Sequence, residues 1–411
     1  MAWYVWLRGT RASVTPWATA LLEAAGTAPP AERETDYVLC ALIAAAGGDL
    51  RVWERCRSAA EAIVARQDQP LGHPAIPFLW PLIVTPGIGD PGVVISVITR
   101  GRTAPDPWQA AVGHVVWGHQ QLMTGRSAAA EQAFGTAAET FRALGDRWGT
   151  ALALDSLAGL AHLRDDPGTA IVLTGEALAH TEQLGSMEDI ADLLCNRGDY
   201  RVHQARTRSV GALAAARSDY ERAAEIARRA GSPTYLAAAM SGLGDIARLG
   251  GDLAGARRLY EQALARFQTH WLKSGMSRLN TLMGLGKVAE ASGAPGEARV
   301  WYVRAVEVAL AGPLPEGARA VEALAGMVLA EDDAVSAARL LGAATVLRGI
   351  AAGPDPDAAR IATGARAVLG DAPYEAAYQT GAQLLLADAL RLVGVPESAL
   401  HILAGGGVAD R

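Results

Sequence analysis

Six copies of one short pattern restrict what this chain can fold into more than any other feature. The pattern is an alanine, a large residue four positions on, and a second alanine three positions further. It occurs as Ala130/Phe134/Ala137, Ala170/Thr174/Ala177, Ala216/Tyr220/Ala223, Ala256/Tyr260/Ala263, Ala298/Tyr302/Ala305 and Ala337/Leu341/Ala344, the Thr174 copy being the weakest. Successive first anchors lie 40, 46, 40, 42 and 39 residues apart. Steps of four and three put all three residues on one face of a helix. The fullest copy, SGLGDIARLGGDLAGARRLYEQALARF (241–267), shows what precedes that face. Gly244 and Ala247 lie on an earlier helix, Gly251 turns the chain, and Tyr260 wedges between the two helices. Turn glycines occupy the same place at Gly125, Gly211 and Gly293, with Asp165 and Asp332 replacing them in the other two copies.

This is the tetratricopeptide (TPR) pattern, with a unit somewhat longer than its usual length of about 34 residues. One helical hairpin cannot bury its apolar face alone, so neighbouring units must supply the missing surface. The expected fold is an all-α, TPR-type α-solenoid: a right-handed superhelix of about eight to nine helical hairpins with a C-terminal helical cap.

Composition agrees. Half of the 411 residues are hydrophobic and 19% are charged, which supplies a large core and argues against disorder. Alanine and leucine dominate over β-branched runs, as expected of helices. The net charge of −6 argues against non-specific duplex binding, so direct nucleic-acid binding is not expected. The one local basic run is Arg201, Arg206, Arg208, Arg217 and Arg222. Cys40, Cys56 and Cys195 are odd in number and irregular in spacing, as expected of reduced thiols in a cytoplasmic protein. The N-terminus has no basic leader with an apolar core, and the most apolar stretch, 76–98, is interrupted by Pro77, Pro81, Pro86 and Pro91. No membrane association is expected.

Along the chain, residues 1–106 read as degenerate, tryptophan-rich helical hairpins. Residues 107–350 are the regular repeats of about 40 residues, 351–400 are capping helices, and 401–411 are a flexible glycine-rich tail. In the first segment Gly26 is a C-cap, Thr35–Ala46 and Leu50–Ala65 pair across a Gly47-Gly48-Asp49 turn, and the VVISVI stretch favours a short helix over a strand because its neighbours are helical. In the cap, Ile361–Leu369 forms a short helix, residues 370–373 a break, and Tyr374–Val393 a longer helix. Eight of the ten tryptophans precede residue 150, filling the core of irregular hairpins or forming an apolar contact surface.

Catalytic motifs are lacking. In MGLGKVAEA (283–291), Gly286-Lys287 is followed by Val288 and position 281 is threonine, so it fails as a phosphate loop. Gly242-x-Gly244 follows helical sequence and fails as a dinucleotide motif. No cofactor, metal site or enzymatic activity is expected. His114, His119 and His162 lie on first helices, where ordinary packing or exposure accounts for most histidines. In a TPR array the first helices line the concave wall, and register places His119, Leu122, Asp155, His162, Arg201, Arg208, Ser241, Asp245, Arg248, Lys287, Glu290 and Glu322 on it. Both charge signs alternate there, as on a solvated face or in a polar groove for a peptide, a domain or a small effector. Asn280 and Lys287 resemble part of the carboxylate clamp of chaperone-binding TPRs, but its full set of basic residues is missing.

Four stretches carry a more specific resemblance: RSDYERAAEIARRAG (217–231), LGDIARLGGDLAGARRLYEQAL (243–264), LAGMVLAEDDAVSAARLLGAATVLRG (324–349) and ARAVLGDAPYEAAYQTGAQLLLADAL (365–390). They resemble the TPR region of AfsR/SARP-type and large LuxR-type actinobacterial transcription regulators, signal-transduction ATPases with numerous domains (STAND). The AARLLGAA block followed by a helix of YxxxYxxG type is what generic TPRs lack. The resemblance covers about residues 110–390. It implies a non-catalytic sensor and interaction module in a regulator of antibiotic biosynthesis. Such a module binds an effector or partner domain, acts on ATPase and DNA-binding domains outside this chain, and can form a homo-oligomer. The alternative is a stand-alone adaptor that bridges proteins. A regulator domain upstream in the same reading frame would decide between them.

Overall fold

The computed structural model describes residues 14–46, 50–66, 73, 75–84, 90–124, 126–207, 211–267, 274–311, 317–348, 356–384, 386–391 and 397. All regular structure among them is helical. The chain divides into two compact units, residues 1–242 with 266–274, and residues 243–265 with 275–411.

The first unit begins with α1 (Thr15–Ala25), α2 (Glu34–Ala46), α3 (Leu50–Arg66), α4 (Ala75–Ile83) and α5 (Pro91–Arg102). The VVISVI stretch is helical as expected, because Asp90 caps it by accepting from the Gly92 N–H at 2.7 Å and Pro91 presets the first turn. Regular hairpins follow: α6 (Pro107–Met123) with α7 (Ser127–Ala143), α8 (Arg147–Leu163) with α9 (Pro167–Leu184), and α10 (Met187–Thr207) with α11 (Ala212–Ala230). Asp106, Asp146 and Asp166 cap α6, α8 and α9 through backbone N–H groups. Gly145, Gly185 and Gly231 end α7, α9 and α11 in left-handed conformations that glycine adopts without strain.

Among the described residues, the tryptophans before residue 150 pack chiefly in the core. Trp53 and Trp80 are fully buried, edge to face at 6.0 Å. Trp148 is buried between Trp108, stacked at 6.0 Å, and Phe78, edge-on at 5.3 Å. Trp17, by contrast, stands exposed.

Helix α12 (Pro233–Leu249) contributes residues 233–242 to the first unit and 243–249 to the second. The second unit continues with α13 (Leu253–Leu264), α14 (Ser274–Ala291) with α15 (Pro295–Ala311), α16 (Ala318–Ala330) with α17 (Ala334–Arg348), and then α18 (Pro356–Leu369), α19 (Asp371–Gln383) and α20 (Leu386–Arg391).

The repeat pattern is the packing pattern. None of its eighteen residues is more than 4% exposed. The two turn aspartates, Asp165 (φ 62°) and Asp332 (φ 66°), are the non-glycine residues with positive φ among the described residues, matching Gly251 and Gly293 in the same role. Short polar side chains tolerate this conformation best after glycine. Ala256 and Ala298 are fully buried. Leucine at either is expected to cost about 1–3 kcal/mol by overpacking; a thermal melt unchanged in both variants would contradict the assigned crossings.

Gly211 precedes α11 as expected, at φ −79° and not in the left-handed conformation of Gly251 and Gly293. Two expectations need correction. The break at 370–373 is a single residue, Gly370 at φ 80°, and α19 starts at Asp371 with Pro373 inside its first turn, where no amide donor is needed. The helix expected over Tyr374–Val393 ends at Gln383, because Leu384 is extended, and the short α20 follows. Gly125, the 47–49 turn and the 401–411 tail lie outside the described residues.

Candidate interaction surface

The first helices are fixed by rings set into glycines. A Cβ at Gly118 would lie 2.4 Å from the Phe134 ring, and one at Gly286 would lie 2.2 Å from Tyr302. Tyr220 sits between Gly198 and Gly242, at 2.5 and 2.2 Å from their would-be Cβ atoms. Tyr260 is held the same way between Gly244 and Gly284, at 2.7 and 2.4 Å. The GLG triplets at 242–244 and 284–286, which mimic nucleotide loops in sequence, are therefore packing devices. One glycine admits the ring of the preceding hairpin and the other the ring of its own.

Each tyrosine then spends its hydroxyl on a first-helix carboxylate. Tyr220 donates to Asp199 at 2.6 Å, Tyr260 to Asp245 at 2.9 Å, and Tyr302 to Glu290. Burial pushes Tyr260 and Tyr302 above the usual phenol range, so they remain neutral donors, and it raises Tyr200 likewise. Phe134 lacks a hydroxyl, and the corresponding neighbour is His119, edge-on to its ring at 5.0 Å.

In the second unit, Asp245 also accepts from Arg248 at 3.0 Å. Burial works against the Arg248 charge, but Asp245 and Tyr260 beside it hold its pKa above the ordinary value. Glu322 is 4% exposed and paired with Arg348 inside the unit. Lys287 is half-buried and Glu290 is exposed. In the first unit, Ser241 is buried. Arg201 joins Arg197 on the buried Asp219, with Arg197 donating twice, at 3.0 and 2.7 Å. The register that selected Arg201 and Arg208 places the crossing at residue 204, whereas the Tyr220 ring lies on Gly198. Arg208 lies outside the described residues.

The first unit brings three of the expected residues into one polar strip across α6, α8 and α10. Nε2 of His119 meets Ser156 Oγ at 3.1 Å. Asp155 accepts from Asn196 Nδ2 at 3.0 Å. Nδ1 of His162 meets Nδ1 of His203 at 3.3 Å, and the His162 ring lies against Tyr200 at 4.8 Å. Nε2 of His203 is 2.8 Å from Asp165. Asn196 and His203 were missed by the fixed register, although a signal existed: Asp192, Asn196, Asp199 and His203 recur on α10 at the spacing of one helix face. After burial, the carboxylates that raise Tyr200 are Asp155, Asp199 and Asp192, so the field around this ring is negative. His114, by contrast, is lowered by burial and by Arg102. Among the described residues no group of three or more His, Cys, Asp or Glu is arranged to hold a metal ion, and no helix is long and apolar enough to cross a membrane.

A tetratricopeptide repeat family model matches residues 200–269. No curated protein matches the sequence. Among solved structures, the apo quorum sensor NprR from B. thuringiensis is similar at 15% identity and TM-score 0.46, covering 90% of this chain and 98% of its own. A STAND protein with a tetratricopeptide repeat sensor from Pyrococcus horikoshii is similar at 14% identity and TM-score 0.45, covering 92% of this chain and 52% of its own. The Rap conjugation gene regulator of plasmid pLS20, solved with the Phr* peptide, is similar at 12% identity and TM-score 0.43, covering 96% and 99%.

Proposed function

We propose that the chain is the sensor and protein-contact module of a bacterial transcription regulator of the STAND type, SARP- or LuxR-like, and that a partner segment binds along the polar strip of the first unit. The observation that carries this reading is the convergence of half-buried His119, Asp155 and His162 with Asp192, Asp199 and His203 on three successive first helices. Asp199 receives the Tyr220 hydroxyl, whereas Asp155 and Asp192 add charge beside the buried Tyr200 ring beyond what seating a ring calls for, at a cost in free energy. A strip lined by Asp155, Asp192 and Asp199 suits a segment bearing lysine or arginine, from a peptide or from the regulator's own ATPase domain. The regulator context rests on the blocks at 243–264, 324–349 and 365–390.

Binding acts by shifting the population of module conformations, and only differential affinity for the two states drives the response. Isothermal titration of the chain with basic peptides, candidate metabolites and the ATPase domain tests this. The expected result is salt-sensitive binding by one of them that weakens in Asp155→Asn and Asp192→Asn. Absence of binding by all of them, or binding indifferent to both substitutions, overturns the proposal.

A further inference from the structure

The polar strip contains one arrangement that partner recognition does not require. His203 Nε2 lies 2.8 Å from the Asp165 carboxylate, which can only accept a hydrogen bond. In the neutral ring, that contact places the His203 proton on Nε2 and leaves Nδ1 as a lone pair. The lone pair faces His162 Nδ1 at 3.3 Å, with the two rings nearly perpendicular at 85°. Two nitrogens bound at about 2.0–2.1 Å to one tetrahedral ion lie about 3.3 Å apart. The separation that accommodates a hydrogen bond between the imidazoles thus also accommodates chelation.

We infer that His162 and His203 form a two-imidazole site for a divalent transition-metal cation of the zinc, nickel or copper class, with Asp165 orienting His203. Imidazole donors select this class over magnesium and calcium, which prefer oxygen. A carboxylate on the far nitrogen of a ligating histidine is the usual support of such a ligand and raises its basicity. The Tyr200 ring holds His162 from one side, and Asp155, Asp192 and Asp199 make the surroundings favourable to a cation. His203 is 28% exposed, so solvent or a partner side chain can complete the coordination. On binding, the His162 proton leaves Nδ1 and settles on Nε2 by way of solvent. Both imidazoles then donate as neutral ligands, and no electron is transferred. The thiols are poor competitors: Cys56 and Cys195 are buried, and burial pushes Cys40 up to about 11. A bound ion would pin α8 to α10, two successive first helices.

The site stands whether or not the strip also takes a protein partner, and its test needs no partner. Titration of the metal-stripped full chain with zinc chloride and nickel chloride is expected to show one equivalent bound, with magnesium chloride giving no heat. His162→Gln and His203→Gln are each expected to weaken binding at least about tenfold, and Asp165→Asn about 10–100-fold. Asparagine keeps the positive φ of position 165 accessible, so that variant preserves the turn. A second measurement uses the wild-type chain alone: with 15N-labelled histidine, zinc is expected to shift the Nδ1 resonances of two of the eight histidines. Absence of binding, shifts at other histidines, or binding that survives both histidine variants and disappears on thiol alkylation overturns the inference.

Discussion

Gly381→Ala is expected to detach α19 from the hairpin it covers. A Cβ at Gly381 would sit 1.9 Å from the Arg339 carbonyl oxygen, and one at Gly342 would sit 2.1 Å from the Tyr378 carbonyl oxygen. Both obstructions are backbone, so no rotamer change relieves them. The two glycines mark the point where α17 and α19 cross at backbone contact. Overpacking typically costs about 1–3 kcal/mol, and here the upper end or more is expected because two helices must separate. Separation also removes the hydrogen bond from the Tyr378 hydroxyl to Thr345 Oγ1 at 2.8 Å and exposes Tyr374, which is 2% exposed beneath the Arg366 guanidinium. Repeats couple chiefly to their neighbours, so the loss stays local. Hydrogen exchange is expected to show lost protection over 371–383 and 334–348 while α8 to α10 remain protected. Tyr378→Phe, which loses only the hydroxyl, is expected to cost about 0.5–1.5 kcal/mol. Native protection in Gly381→Ala would refute the crossing.

The same pair explains why the AARLLGAA block and the YxxxYxxG helix occur together in sequence. Gly342 belongs to the first and Gly381 to the second, and each admits the other's backbone. Their co-occurrence marks a closing contact of the second unit, not a ligand site.

The sequence carried the hairpins because their requirements are local. A small residue at a crossing, a left-handed turn and a ring over a glycine each appear at fixed offsets, so Asp165 and Asp332 were recognisable as turn residues before any coordinates. The candidate surface was less legible because exposure is not local. Asp245 and Glu322 have the composition of groove residues, yet one is occupied by Tyr260 and Arg248 and the other is buried against Arg348. Tyr260 and Arg348 arrive from second helices, which no single-helix periodicity contains, and only Arg248 shares a helix with its partner. His203 was missed for a related reason. Its significance comes from His162 and Asp165, some forty residues earlier in the chain.

Tyr260→Ala is expected to be the most damaging single change in the second unit, at about 3–5 kcal/mol, as for other buried aromatics cut to alanine. The ring is fully buried and fills the space left by Gly244 and Gly284. In a unit of this size each kcal/mol lowers the melting temperature by about 2–4 °C, so a fall of about 6–20 °C is expected. Tyr260→Phe separates ring from hydroxyl. Asp245 keeps Arg248 as a partner, so loss of the hydroxyl is expected to cost only about 0.5–1.5 kcal/mol. The decisive comparison is a double-mutant cycle with Gly284→Ala. In the wild-type background the new Cβ would meet the ring at 2.4 Å and destabilise by about 1–3 kcal/mol. In the Tyr260→Ala background that ring is gone. The same methyl group then enters the vacated space, and alanine favours the helix over glycine by about 1 kcal/mol. Gly284→Ala is therefore expected to change sign, from destabilising to neutral or stabilising, which a chemical-denaturation series on the four proteins measures directly. Additive costs would mean that Gly284 is retained for some reason other than the tyrosine ring.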